Sequence, residues 1–157
     1  HDIELKSREE QLQRQHQIEL ELKSDILEKV KNAQIEVADA TIAKWKENEI
    51  DPVTRRNLED LILKVNSLGY NPPMRASSCL RSIKDQQRIN PSAMGSSHLY
   101  GCAIDIADPK GELAKWLETR VATLINCGLW LETPEKTKGW IHLQSYAPKS
   151  MSRIFNP

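Results

Sequence analysis

The sequence predicts an α+β fold, a small antiparallel sheet with flanking helices over residues 51–157, preceded by a long N-terminal helix within residues 1–50. Three observations predict it. Residues 1–50 contain neither Gly nor Pro and are rich in Glu, Lys, Gln, Leu, Ile and Ala, mostly good helix formers. All 6 Gly, all 8 Pro and all 3 Cys lie beyond residue 50, where turn signals separate short runs. Those runs mix helical and strand periodicity without regular alternation, which indicates α+β rather than a parallel α/β sheet. The sequence contains no internal repeat.

In the first segment a stripe runs from Ile18 through Leu22, Ile26, Val30, Ala33, Val37 and Ala40, spaced as one helical face. Upstream, Leu5 and Leu12 stand a heptad apart, but Gln15, His16 and Glu19 interrupt the seam that a coiled coil would need. Two uses of this helix stay open: packing on the following domain, or a stalk for homo-oligomerisation or an assembly partner.

Asp51-Pro52 reads as an N-cap followed by Pro at the first helical position. Val53, Leu58, Leu61, Ile62, Val65 and Leu68 make the apolar face of that helix, and Gly69 stops it. After the loop Asn71-Pro72-Pro73, residues 74–80 are extended, and residues 82–90 form a short polar helix ended by Pro91. Cys102, Ile104 and Ile106 alternate with Ala103, Asp105 and Ala107, as in a half-buried strand. Residues 108–111 turn. Residues 112–127 form an amphipathic helix carrying Leu113, Trp116, Leu117, Val121, Leu124 and Ile125, closed by Gly128. Two short strands, 129–132 and 140–144, flank a polar loop containing Thr133-Pro134-Glu135.

Charge narrows the function. The 157 residues carry 22 basic and 22 acidic side chains, so there is no cationic excess for nucleic acid or an anionic membrane surface. No apolar run approaches the roughly 20 residues that span a bilayer. The opening His1-Asp2 lacks the basic-then-apolar pattern of a secretory signal, and a missing initiator Met is read as a trimmed start. Three cysteines are too few and too odd a set for a disulfide scaffold.

The chemistry lies in His98, Asp105 and His142. By strand parity Ile104 and Ile106 share one face and Asp105 takes the other; Ile141 and Leu143 likewise leave His142 opposite, with Trp140 and Gln144. The Ile-rich faces are expected to meet the helices, leaving the polar groups on the more open face. His98 sits in a small-residue loop, Gly95-Ser96-Ser97, that can fold over a site. Two imidazoles and a carboxylate with a fourth position left for water form a catalytic zinc ligand set. Spacing alone does not separate this from histidines that satisfy core hydrogen bonds.

The letters around these residues add more. Ser96-Ser97-His98-Leu99-Tyr100-Gly101-Cys102-Ala103-Ile104-Asp105 resembles the S-x-H-x-x-G-x-A-x-D signature of the zinc D-alanyl-D-alanine carboxypeptidase family. That family includes phage endopeptidases that cut peptidoglycan, and hedgehog signalling domains share its fold. Ser78-Cys79-Leu80-Arg81-Ser82 looks like the family's S-G-Y-R-S segment, and Trp140-Ile141-His142 matches its W-x-H. The pieces come in the family's order over roughly residues 52–145 and look most like members from phage and prophage proteins. Residues 1–50 lie outside the resemblance.

The resemblance implies that His98, Asp105 and His142 bind Zn²⁺. Arg81 would hold the substrate carboxylate or the oxyanion, a task suited to a permanently charged, forked donor, although a surface ion pair is the commoner fate of an arginine. Ser96 would contact substrate or brace the His98 loop, and otherwise is turn chemistry. Trp140, sharing its face with His142, walls the substrate groove or is an ordinary aromatic of the core or rim. The substrate implied is a peptidoglycan peptide, cut at a D-Ala-D-Ala end or an L-Ala-D-Glu link, and the place implied is the bacterial cell wall, with the protein part of a phage particle or apart from one.

One position departs from the pattern. A zinc peptidase needs a general base, and many members place an acid three residues before the last His. Here that residue is Gly139. Glu132, at a strand end, is the expected base; Glu135, in the loop, is expected to be solvated. If neither reaches the site, the alternative is a catalytically degenerate structural or binding component of a virion or envelope assembly. Among the cysteines, Cys102 is expected in the core by parity, Cys127 in helix packing, and Cys79 has no motif supporting a thiolate site. His1 and His16 are expected to bind nothing.

Overall fold

The computed structural model describes residues 2–31, 35–37, 50–80, 88 and 100–157. The chain forms two units, His1–Asn32 and Ala33–Pro157.

The first unit is a single helix, α1, Asp2–Lys31. Its Leu5, Leu12 and Ile18 are exposed. The helical reading of residues 1–50 needs correction beyond this point. Ile35–Glu36 is a strand, β1, and both Ile35 and Val37 are buried while Glu36 is exposed. Val37 therefore belongs to an alternating pattern and not to the helical stripe that begins at Ile18. The physical reason is local: Ile-Glu-Val is a β-branched, period-two triplet whose stiff side chains suit a pleat. Ala33 and Ala40 lie outside the described residues.

The second unit is built on a six-stranded sheet in the order β1-β2-β3-β5-β4-β6. The other strands are β2 (Met74–Ser78), β3 (Ala103–Ala107), β4 (Trp130–Glu132), β5 (Trp140–Gln144) and β6 (Ile154–Phe155). The central pairs β2–β3, β3–β5 and β5–β4 are antiparallel, as expected. Both outer pairs, β1–β2 and β4–β6, are parallel, so the sheet is mixed. β6 has too short a run to read in the sequence. It is held by Leu131 N–H donating to Arg153 O and Thr133 N–H to Phe155 O, while the Arg153 guanidinium lies 3.5 Å over the Trp130 ring. That stacking geometry is a favourable cation–π contact.

Among the described residues, three helices with both ends in view accompany the sheet. In α2, Pro52–Asn66, the Asp51 carboxylate accepts from Thr54 N–H at 2.9 Å and from Thr54 Oγ1 at 2.6 Å, the expected N-cap. Leu58, Leu61, Ile62 and Val65 of α2 are fully buried. They share the core with Ile104 and Ile106 of β3, Ile141 and Leu143 of β5, and Leu117 and Leu124.

The single helix expected over 112–127 is two: α3, Glu112–Glu118, and α4, Val121–Cys127. At the break the Thr119 hydroxyl and the Arg120 guanidinium both donate to Trp116 O, so side chains take the carbonyl that a continuing helix would have used. Val121 and Ile125, expected on the buried face, are consequently exposed, and only Leu124 of α4 is buried. Of the helix expected over 82–90, only Arg88 is described, and it is helical.

Candidate functional site

β3 and β5 run antiparallel with Asp105 directly opposite His142. β4 pairs with β5 through Trp130–Gln144 and Leu131–Leu143, a register whose next step sets Glu132 opposite His142. β6 continues the line with Phe155 opposite Glu132. Directly opposed residues share a sheet face, so Asp105, His142, Glu132 and Phe155 form one row across four strands. Ile104, Ile106, Ile141 and Leu143 are buried in the core on the other face.

Within the row His142 Nδ1 lies 2.9 Å from Asp105 Oδ1, and His142 Nε2 lies 3.0 Å from Gln144 Oε1. The Phe155 ring meets the imidazole edge-on, with centroids 6.3 Å apart. The face is less open than parity suggested: the side chains of His142 and Asp105 are 13% and 12% exposed. Burial by itself would push the His142 pKa down. The hydrogen bond and charge of Asp105, the Gln144 carbonyl and the Glu132 charge outweigh it and raise the value above that of a free histidine.

The approach to Asp105 is built from the rest of the signature. Gly101 has φ +72°, and a Cβ there would sit 2.7 Å from Thr54 O and 3.1 Å from Leu58 of α2. Only a glycine lets the chain cross α2 this closely and in this conformation. Tyr100 O then accepts from Asn57 Nδ2 at 3.1 Å, and Cys102 O from Ser145 N–H at 2.9 Å, which delivers the chain into β3. Cys102 itself is half-buried, not a core residue as parity implied, because it precedes the first paired residue of β3. Cys127 is half-buried beside the Ser67 hydroxyl, Cys79 is buried, and none of the three cysteines is in a disulfide.

Glu132 is half-buried at the end of β4, and Glu135 is exposed in the 3₁₀ turn Pro134–Lys136. Gly139 has φ +86° in the turn that leads into β5, a conformation that disfavours any side chain at that position. Trp140 is half-buried, opposite Ala107 at the start of β5. His98, Arg81 and Ser96 lie outside the described residues. Among the described residues no group of three or more His, Cys, Asp or Glu is arranged to hold a metal ion.

A cleft lined by Tyr70, Met74, Asp108, Lys110 and Glu112 opens beyond the end of β3 and contains neither Asp105 nor His142. Its Asp108 carboxylate is committed to the N–H groups of Leu113 and Ala114. Sequence reasoning gave Gln144 no role, although its parity with His142 was the available signal. No protein-family model matches the chain, nor does any curated protein or solved structure. Among the described residues no helix is long and apolar enough to cross a membrane.

Proposed function

We propose that this protein is a zinc-dependent peptidase acting on bacterial peptidoglycan peptides, of the D-Ala-D-Ala carboxypeptidase or L-Ala-D-Glu endopeptidase type. One observation carries the reading. The last residue of the Ser96–Asp105 signature and the histidine of the Trp140–His142 motif are 37 positions apart yet meet at 2.9 Å, largely shielded from solvent.

The two side chains fit zinc, which takes carboxylate oxygen and imidazole nitrogen at close to 2 Å. A pair in mutual contact needs only a small opening to share one ion. In this reading Asp105, His142 and His98 hold the zinc, which when bound supplies Lewis acidity. Glu132, next to His142 in the row, accepts the proton of the attacking water and returns it to the leaving amine. Arg81 holds the substrate carboxylate or developing oxyanion, Ser96 braces the His98 loop or contacts substrate, and Trp140 walls the groove.

The test is loss of turbidity of purified peptidoglycan, with and without chelator, by the full chain. Activity that a chelator abolishes and zinc restores is expected, along with its loss in His98→Ala and His142→Ala. Unchanged activity in His98→Ala, or activity indifferent to chelator, overturns the reading.

Gly139, with its left-handed backbone, favours a second reading, a catalytically degenerate component of a virion or envelope assembly. Bound zinc with no turnover of a D-Ala-D-Ala peptide supports this second reading. Turnover that Glu132→Gln lowers by about 100-fold or more, with zinc retained, supports the enzyme.

A further inference from the structure

We propose that Gln144 is a positioning residue for His142: it keeps a hydrogen on Nε2, so that Nδ1, beside Asp105, is the nitrogen offered to the metal. The inference rests on the zinc reading above and adds to it which atom of His142 binds and what fixes that choice.

One acceptor beside Gln144 cannot change roles. Tyr146 O is a backbone carbonyl, and the Gln144 amide nitrogen lies 3.0 Å from it. A carbonyl only accepts, so the NH₂ end of the Gln144 amide must face Tyr146. The opposite orientation would set two carbonyl oxygens against each other in a buried place, since Gln144 is only 5% exposed. With the amide fixed, Gln144 Oε1 faces His142 Nε2 at 3.0 Å. An amide oxygen also only accepts, so Nε2 carries the hydrogen. Nδ1, 2.9 Å from Asp105 Oδ1, carries the ring's other hydrogen and donates it to the carboxylate; this hydrogen, between two groups that each bind cations, is the one a metal ion would displace. The strand lattice holds this arrangement: Gln144 pairs with Ala103 on one side and Trp130 on the other, and Ala103 sets only a methyl group beside it.

The fixed chain is thus Tyr146 carbonyl, Gln144 amide, His142 ring and Asp105 carboxylate. Such outer partners orient metal-binding histidines, and their loss costs about 10- to 100-fold in metal affinity or activity.

The experiment loads the full-length, ¹⁵N-labelled protein with ¹¹³Cd²⁺ and reads which nitrogen of His142 couples to the metal. Coupling to Nδ1 with a hydrogen retained on Nε2 is expected; coupling to Nε2 overturns the proposal and needs no variant to do so. Zinc titration against a chromophoric chelator is expected to show binding weakened by about 10- to 100-fold in Gln144→Met. A folded Gln144→Met with unchanged affinity and its Nε2 hydrogen still present also overturns it. If the natural sequence binds neither Cd²⁺ nor Zn²⁺, the zinc reading fails by itself. The role of Gln144 is then decided on the protein without metal: an Nε2–H resonance present in the natural sequence and lost in Gln144→Met supports it, and its absence from the natural sequence overturns it.

Discussion

Gly101 does two things that no other residue at its position can do. Its φ of +72° is unfavourable for a side chain, and a Cβ would press on the backbone of α2 at 2.7 Å. Both penalties act together, so Gly101→Ala is expected to destabilise the fold by about 2 kcal/mol or more, measured by urea unfolding. Because Gly101 sets the path into β3, the same change is expected, in the proposed zinc reading, to weaken metal binding through Asp105. Asp51 shows a different kind of residue effect. Its hydrogen bonds to Thr54 lower its pKa below the ordinary carboxylate value. A lowered pKa in the folded state means that the cap stabilises at pH above the unfolded value of about 3.9 and is lost as pH falls through the folded one. Thermal melting of Asp51→Ala is therefore expected to lie below that of the natural sequence at pH 7, with the difference closing in acid.

At the scale of elements, the edge strand β1 and the broken helix carry the lessons. β1 is two residues long, but Ile35 is buried against the second unit's sheet and core. Ile35→Ala is expected to cost about 2 kcal/mol in denaturant unfolding, at the low end for a core truncation because an edge can relax. If residues 35–37 continued α1 as an exposed helix, the same substitution would be nearly neutral. The division of α3 from α4 was hidden for a related reason. Helical periodicity through residues 112–127 is unbroken in the sequence, and the break comes from Thr119 and Arg120 bonding backwards to Trp116 O. Propensity is a weak prior against such side-chain competition.

In the molecule as a whole, ligand binding and folding are linked. A ligand that binds only the folded state raises its stability in proportion to the logarithm of its concentration over Kd. In the zinc reading proposed above, zinc is expected to raise the melting temperature of the natural sequence and a chelator to reverse the rise. Asp105→Ala and His142→Ala are expected to abolish the shift, while His16→Ala leaves it intact. A zinc-induced rise that survives His142→Ala would refute the ligand assignment.

The sequence alone determined the mixed α and β composition, the caps at Asp51 and Gly128, the central strands, and the parity that puts Asp105 and His142 on one type of face. These follow from nearest neighbours along the chain, through steric periodicity and backbone freedom. It could not determine that β1 and β6 lie parallel at the sheet's two edges, nor that Glu132 falls in line with His142. Those depend on pairing between strands distant in sequence, whose register is set by which faces the core can bury. The orientation of the Gln144 amide belongs to the same class. It is decided by Tyr146 O and His142 Nε2 on either side of one buried side chain, and only the folded chain brings the two together.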